Sequence, residues 1–226
     1  MNRRDRPKVI ANFAMTADGK VTTRNRTPAD FTSPRDKQRL LEIRAMADAI
    51  LVGRNTVATD TMSLTLPDKA LQTARRAKGL AAQPLRVIVS NRANLDPHWK
   101  VFRTRGARRI VFHSAPVPAA KHKSLEPLCD LRKFDDIAGM LTTLRKTYGV
   151  RTLLCEGGPT LLRSLVESDA LDVLHLTIAP LVFGGKDAPT LTGTNSDFLK
   201  SIAHFQLESM RRVGDECYLR YRAVRK

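Results

Sequence analysis

Ala49-Ile50-Leu51-Val52-Gly53-Arg54-Asn55-Thr56 runs from four apolar residues through a glycine into a polar, hydroxyl-bearing segment. An apolar run of this length suits a strand buried on both faces, and a glycine followed by polar residues suits a turn entering a helix. Two other stretches have the same grammar: Leu85-Arg86-Val87-Ile88-Val89 ends at Ser90-Asn91-Arg92, and Thr152-Leu153-Leu154-Cys155 ends at Glu156-Gly157-Gly158-Pro159-Thr160. Buried strands that deliver loops from their carboxyl ends, alternating with helical segments, predict an α/β fold with a mostly parallel central sheet and helices on both faces.

Working outward, Val9-Ile10-Ala11-Asn12-Phe13-Ala14 reads as a first strand, and Ser33-Pro34 as an N-cap and first helical residue of a helix reaching about Met46. Residues 109–112 give another buried strand, and 173–178 one that stops at Pro180. Ile137, Met140, Leu141, Leu144 and Tyr148 recur at helical spacing up to Gly149. Residues 67–83 are polar and alanine-rich, and read as a loop or a loose helix outside the sheet. Residues 205–213 and 217–223 flank Gly214-Asp215, the mark of a C-terminal antiparallel hairpin. A single domain over 1–226, with its core at about 8–224, is expected.

The net charge of +17 would attract nucleic acid, anionic surfaces or phosphorylated small molecules alike. The basic residues are spread along the chain and aromatics make up 5%, which supplies a stacking platform poorly, so nucleic acid is not expected as the primary partner. Cys129, Cys155 and Cys217 show no CxxC spacing, and His98, His113, His122, His175 and His204 form no HxE or HExxH pair. Neither a disulfide framework nor a metal site is expected, and without the zinc pattern no deaminase domain. No apolar run has the length of a membrane helix and the N-terminus lacks a signal-peptide pattern, so the reading is of a soluble, cytoplasmic protein.

In an open α/β sheet, ligands gather outside the carboxyl ends of the strands. Gly157-Gly158 at a helix start lets backbone N–H groups approach a phosphate, although the pair serves equally as an ordinary tight turn. Gly53, Arg54 and Thr56 suit a pyrophosphate or ribose phosphate, and Ser90 with Arg92 suits a 2′-phosphate. Met15-Thr16-Ala17-Asp18-Gly19-Lys20 reads as a turn that sets Lys20 beside the same crevice, with Asp60 and Glu156 as nearby carboxylates. A helix-capping role for Asp60 fits the sequence as well.

Four blocks, in order, resemble the pyrimidine reductases of riboflavin biosynthesis, a family of dihydrofolate-reductase-like fold. Residues 14–20 are similar to its S-x-D-G-K element, 44–57 to R-A-x-x-D-A-I-L-V-G-x-x-T-V, and 60–65 to D-x-P-S-L-T. The fourth block is Glu156-Gly157-Gly158-Pro159-Thr160-Leu161, continuing to residues 178–185. The resemblance implies NADPH-dependent reduction of the ribosylamino side chain of a pyrimidine phosphate, either the uracil or the 2,5-diamino compound, to the ribitylamino form, by a homodimer. It implies that Gly53, Thr56, Ser90, Gly157, Gly158 and Thr160 line the cofactor, with Arg54 and Arg92 assisting. Lys20, Asp60 and Glu156 would face the substrate, one of them as proton donor. The same fold also serves other C=N substrates such as dihydrofolate, which stays open as an alternative, as does a basic nucleic-acid-binding protein. Two departures stand out: Met62 occupies a position where the family has proline, and Leu66-Pro67-Asp68 stands where it has an arginine for the substrate phosphate. Arg24, Arg26 and Arg44 are the candidates to compensate.

Overall fold

The computed structural model describes residues 4–23, 25, 31–60, 62–194 and 197–225, without the side chain of Asp60. Arg24 and Arg26 lie outside the described residues.

The chain begins with β1 (Lys8–Thr16), α1 (Pro34–Met46) and β2 (Ala49–Gly53), then α2 (Arg54–Asp60), α3 (Lys69–Ala77) and β3 (Leu85–Val89). It continues through α4 (Lys100–Arg103), β4 (Arg109–His113), α5 (Ala119–Leu125) and β5 (Asp130–Lys133), and returns by α6 (Ile137–Lys146) to β6 (Thr152–Gly157). After α7 (Pro159–Glu167) come β7 (Val173–Ala179) and the hairpin of β8 (His204–Val213) and β9 (Glu216–Val224). These strands form one nine-stranded sheet in the order β5-β4-β3-β2-β6-β1-β7-β9-β8. Every neighbouring pair is parallel except β7 with β9 and β9 with β8.

The faces of the sheet follow from strand alternation. Leu51, Val87, Phe112, Leu153 and Cys155 pack with Met140, Leu141 and Leu144 of α6 and Leu161, Leu162 and Leu165 of α7. The intervening residues, Ile50, Val52, Ile88 and Val111, pack with Val57 of α2, Val101 and Phe102 of α4 and Leu125 of α5. Ile43 and Ala47 bring α1 onto that same face, against Ile10, Leu154 and Val173. Outward crossovers thus lie on one face and return crossovers on the other, as a constant right-handed connection requires.

Local chemistry sets the helix ends. The Ser33 hydroxyl accepts from the Asp36 amide at 3.3 Å with Pro34 opening α1, and Asp136 accepts from the Gly139 amide at 2.7 Å to start α6. The stretch 67–83, which the sequence left between loop and loose helix, holds the nine-residue α3, capped by Asp68 accepting from the Leu71 amide at 3.0 Å. Its order comes from Arg75, which is 1% exposed and donates to the Ala47, Ala45 and Arg44 carbonyls at 2.6, 3.1 and 3.3 Å and to Ala81 at 2.8 Å. One guanidinium thus satisfies the open C-terminus of α1 and ties α3 to it.

Arg86 does the same within an otherwise apolar strand, donating to the Val101, Thr104 and Arg105 carbonyls at the end of α4. Burial, and then the neighbouring charge of Arg109, lower its pKa to about 10. The short elements α4, α5 and β5 were not foreseen. Asp130-Leu131-Arg132-Lys133 lacks an apolar run because β5 is an edge strand, with no buried residue in it.

Arg6 reaches Asp172 with two N–H groups at 2.6 and 2.8 Å, the Val9 amide donates to the same carboxylate at 2.8 Å, and Arg225 approaches it at 2.9 Å. Both ends of the chain are thereby fastened at the start of β7. Burial raises the Asp172 pKa, but hydrogen bonds from Arg6, Val9 and Arg225 and the charge of Arg6 outweigh it and hold the group below its ordinary value.

Arg75→Met should strip four carbonyls of their donor and lower the unfolding free energy by about 2–4 kcal/mol, read by urea denaturation. Asp172 binds its proton more weakly folded than unfolded, so its contribution is present above the unfolded pKa of about 4 and lost as pH falls through the lower folded value. Melting temperature measured from pH 6 to 3 should therefore fall less steeply in Asp172→Asn than in the parent chain.

Candidate active site

In the sheet order β3-β2-β6-β1-β7, five neighbouring strands run parallel, so their carboxyl ends stand side by side. Residues far apart in sequence meet there: Ser90 and Arg92 after β3, Gly53 and Thr56 after β2, Glu156, Gly157 and Gly158 ending β6, and Asp18 and Lys20 after β1. The chain winds outward from β2 and later returns to insert β6 between β2 and β1. A reversal of this kind opens a crevice at the strand ends.

The two glycine turns pack on each other. The Gly158 amide donates to Thr56 Oγ1 at 3.0 Å, and a Cβ at Gly157 would lie 3.1 Å from Thr56 Cγ2. Gly157 has φ +149°, a conformation side chains rarely adopt, so glycine is required both for the backbone and for the contact. Gly158 is the N-cap of the nine-residue α7, with no side-chain cap and Pro159 at the first helical position. The first turn of α7 therefore keeps amide groups uncapped by any side chain, with the exposed Thr160 among them. That donor set suits a phosphate.

Arg54 lies beside this turn but points away from it, donating to the Asn94 carbonyl at 2.9 Å and Asn55 Oδ1 at 3.0 Å and lying over Trp99. Ser90 is buried and Arg92 exposed. Asp60 is the last residue of α2, not an N-cap, and its side chain lies outside the described part.

Glu156 and Arg44, both candidates for the substrate, are joined to each other. Arg44 donates Nε to Oε1 and Nη2 to Oε2, each at 2.6 Å, and Nη1 to the Thr65 carbonyl at 2.7 Å. The carboxylate is 2% exposed and the guanidinium 10%. Burial alone would lower the Arg44 pKa, but the Glu156 charge and hydrogen bond leave it raised. Arg44 is therefore a spoke from α1 to the end of β6 and to the 62–66 segment.

The turn after β1 is closed by the Gly19 amide on the Thr16 carbonyl and the Thr16 amide on that of Lys20, both at 2.9 Å, with Gly19 at φ +80°. Asp18 accepts from the Gly184 amide at 2.8 Å and the Phe183 amide at 3.2 Å. The Thr16 hydroxyl chiefly, then these amides, hold its carboxyl below the usual range against the opposing effect of burial. The Val21 amide reaches the Pro189 carbonyl at 2.9 Å and Lys20 Nζ the Ala188 carbonyl at 3.4 Å. The 180–193 loop is thus the wall beside Lys20.

A second polar group under α1 went unnoticed in the sequence. Arg39 donates to Thr177 at 2.9 Å and meets His175 Nδ1 at 3.3 Å, and Thr177 donates to Asp36 at 2.5 Å. Burial first, then the charges of Arg39, Arg220 and Lys8, push the His175 imidazole down to about 4, which keeps it neutral near pH 7. The available signal was Asn12, His175 and Thr177 standing at alternate positions in otherwise apolar strands.

The family model described as the RibD C-terminal domain matches residues 7–219. A protein of Archaeoglobus fulgidus named 2,5-diamino-6-ribosylamino-4(3H)-pyrimidinone 5′-phosphate reductase is 30% identical over 214 residues, 93% of this chain and 95% of that one. Among solved structures, a pyrimidine reductase-like protein of Corynebacterium diphtheriae superposes with a TM-score of 0.84 at 20% identity, covering 97% of this chain and 93% of the other. Dihydrofolate reductase of Enterococcus faecalis, solved with NADP(H), gives 0.50 at 13% identity over 96% of each chain, in keeping with the expected dihydrofolate-reductase-like fold. A match that takes in every strand from β1 to β8 and the first four residues of β9 is decisive: the chain belongs to the RibD C-terminal domain family.

Proposed function

We propose that the chain reduces 2,5-diamino-6-ribosylamino-4(3H)-pyrimidinone 5′-phosphate, the compound in the name of its Archaeoglobus relative, to the ribitylamino form with NADPH as donor. The observation that carries this reading is the uncapped start of α7 behind Gly157-Gly158, facing Thr56, in a chain of this family.

When bound, NADPH supplies the hydride that converts C=N to CH–NH once a proton joins the nitrogen. Thr160 would hold its phosphates through its backbone amide at the start of α7, Gly157 and Gly158 would let them approach closely for want of a Cβ, and Gly53 and Thr56 would form the other side of the cleft. Ser90 and Arg92 take the 2′-phosphate, a charge-assisted contact of about 1.5–3 kcal/mol that separates NADPH from NADH. Arg54 acts on this site indirectly, by bracing the loop after β3 through Asn94.

On the substrate side, Glu156 is held in place by Arg44 and turns its remaining lone pairs to the ligand as acceptors. Both its oxygens already accept from a guanidinium, so proton delivery falls to Asp60 or Lys20. Arg44 keeps N–H groups to spare on its terminal nitrogens for the ligand. Lys20, on its tight turn, meets the substrate's negative charge in a chain that has Leu66-Pro67-Asp68 where the family has its arginine. The reading keeps the homodimeric state and cytoplasmic location expected from the sequence.

NADPH at a hundredfold its dissociation constant should add about 2.7 kcal/mol to stability, and NADH at the same concentration distinctly less. Equal, negligible shifts in melting temperature would sink the cofactor assignment. Loss of NADPH absorbance should follow addition of the ribosylaminopyrimidine phosphate and not of dihydrofolate. Asp60→Asn should lower turnover at least about a hundredfold with NADPH binding unchanged if Asp60 delivers the proton. Unchanged turnover hands the role to Lys20.

A further inference from the structure

The turn after β1 closes without its acidic residue. Main-chain bonds join Gly19 to Thr16 and Thr16 to Lys20, and Gly19 supplies the positive φ. An aspartate in such a turn ordinarily bonds to its own backbone. Asp18 directs its carboxylate to a distant segment instead: Oδ2 accepts from the Gly184 amide at 2.8 Å and Oδ1 from the Phe183 amide at 3.2 Å, 166 and 165 residues along the chain. Oδ1 also accepts from the Thr16 hydroxyl, whose oxygen in turn accepts from the Lys20 amide at 3.0 Å.

The segment that Asp18 grips is a strap over residues 180–193. Its second half is anchored by packing. Ala188 and Pro189 are buried, Leu191 lies against the main core, and Gly193, at φ +96°, passes in van der Waals contact with Thr160 at the start of α7. Its first half has little apolar burial to fix it, with Leu181, Val182, Lys186 and Asp187 all exposed. Among the described residues, the ties of that half are the Ala17 amide on the Leu181 carbonyl at 2.8 Å, the edge contact of Phe31 with Phe183, and the Asp18 carboxylate.

Lys20 lies between turn and strap. Its amide hangs on the Thr16 hydroxyl that Asp18 orients, and its Nζ reaches the Ala188 carbonyl of the strap at 3.4 Å. A lysine free in solvent gives up rotamer entropy each time it meets an anion. One set between a fixed turn and a fixed strap has given up part of it beforehand. Asp18 acts on this cation from both sides, through Thr16 and through the strap.

We propose that Asp18 is a positioning residue for Lys20: its carboxylate latches the first half of the strap to the β1 turn and so holds the Lys20 ammonium where the substrate's negative charge arrives. This deepens the reductase reading and rests on it.

A double-mutant cycle on product affinity tests the latch. The ribitylaminopyrimidine phosphate is titrated calorimetrically into the parent chain, Asp18→Asn, Asp18→Ala, Lys20→Met and each Asp18 variant combined with Lys20→Met. Thermal melts with and without NADPH accompany every titration. Lys20→Met should bind the product about tenfold or more weakly, having lost a charge-assisted contact. Asp18→Asn, which keeps one acceptor oxygen, should lose about fivefold, and Asp18→Ala about tenfold. In the Lys20→Met background neither Asp18 substitution should change affinity by more than about twofold, because the group it positions is gone. The NADPH-induced melting shift should match the parent's in both Asp18 variants.

Losses as large in the Lys20→Met background as in the parent would mark a structural effect or a direct contact with the ligand, and would overturn the proposal. So would product affinity within about twofold of the parent's in both Asp18 variants or in Lys20→Met, and so would loss of the NADPH shift together with product affinity, the sign of a generally loosened site. A parent chain that binds the product but reduces nothing would remove the reductase reading while the cycle still decides on Asp18. A parent chain that binds no product overturns both.

Discussion

Parallel strands can be joined only by a crossover, and a right-twisted strand accepts that crossover with one hand. From this constraint the architecture follows. As the chain steps from β1 to β5 its helices accumulate on one face, and as it returns through β6 to β7 they accumulate on the other. Because these strands point the same way, their carboxyl ends form one rim. The insertion of β6 between β2 and β1 is the event that brings Gly157-Gly158 against Thr56 and Glu156 under Arg44.

Within that frame α1 is an unusual cover. Most helices on this sheet present aliphatic side chains, whereas α1 buries Asp36 and Arg44 together with Ile43. A buried ion pair is weak evidence for stability, since desolvation cancels much of the attraction, but removing one partner leaves an uncompensated charge. Arg44 and Glu156 are better understood as fixing position: they set the distance from helix to sheet and the direction of the carboxylate. Arg39, Thr177 and Asp36 do the same on the far side of β1. The structure thus maintains a polar slot at the centre of its sheet, where apolar packing would have been more favourable.

The high positive charge has several separate uses. Arg75 and Arg86 are buried donors to backbone carbonyls at helix ends, and Arg6 and Arg225 clasp Asp172. Such arginines are structural and say little about partners. This is why a net charge of +17 did not discriminate among nucleic acid, surface and phosphorylated ligand when taken as a sum.

Much of the fold was legible because its signals are local. Apolar runs such as Ala49-Ile50-Leu51-Val52, the Ser33-Pro34 cap and the Gly214-Asp215 reversal depend on near neighbours, and each marks an element that is present. The hidden elements were those stabilised from a distance: α3 needs Arg75 to reach the end of α1, and β5 is an edge strand with little burial to write into its residue pattern. The site divided in the same way. Sequence alone determined which turns carry glycine, hydroxyl and carboxylate, because backbone geometry demands particular residues there. Only the tertiary structure decided that Arg54 braces a loop, that Arg44 and Glu156 belong to each other, and that Asn12 Oδ1 is buried without a partner among the described residues. Those outcomes depend on which strands lie side by side, and strand order is set by long-range packing that no local stretch of residues encodes.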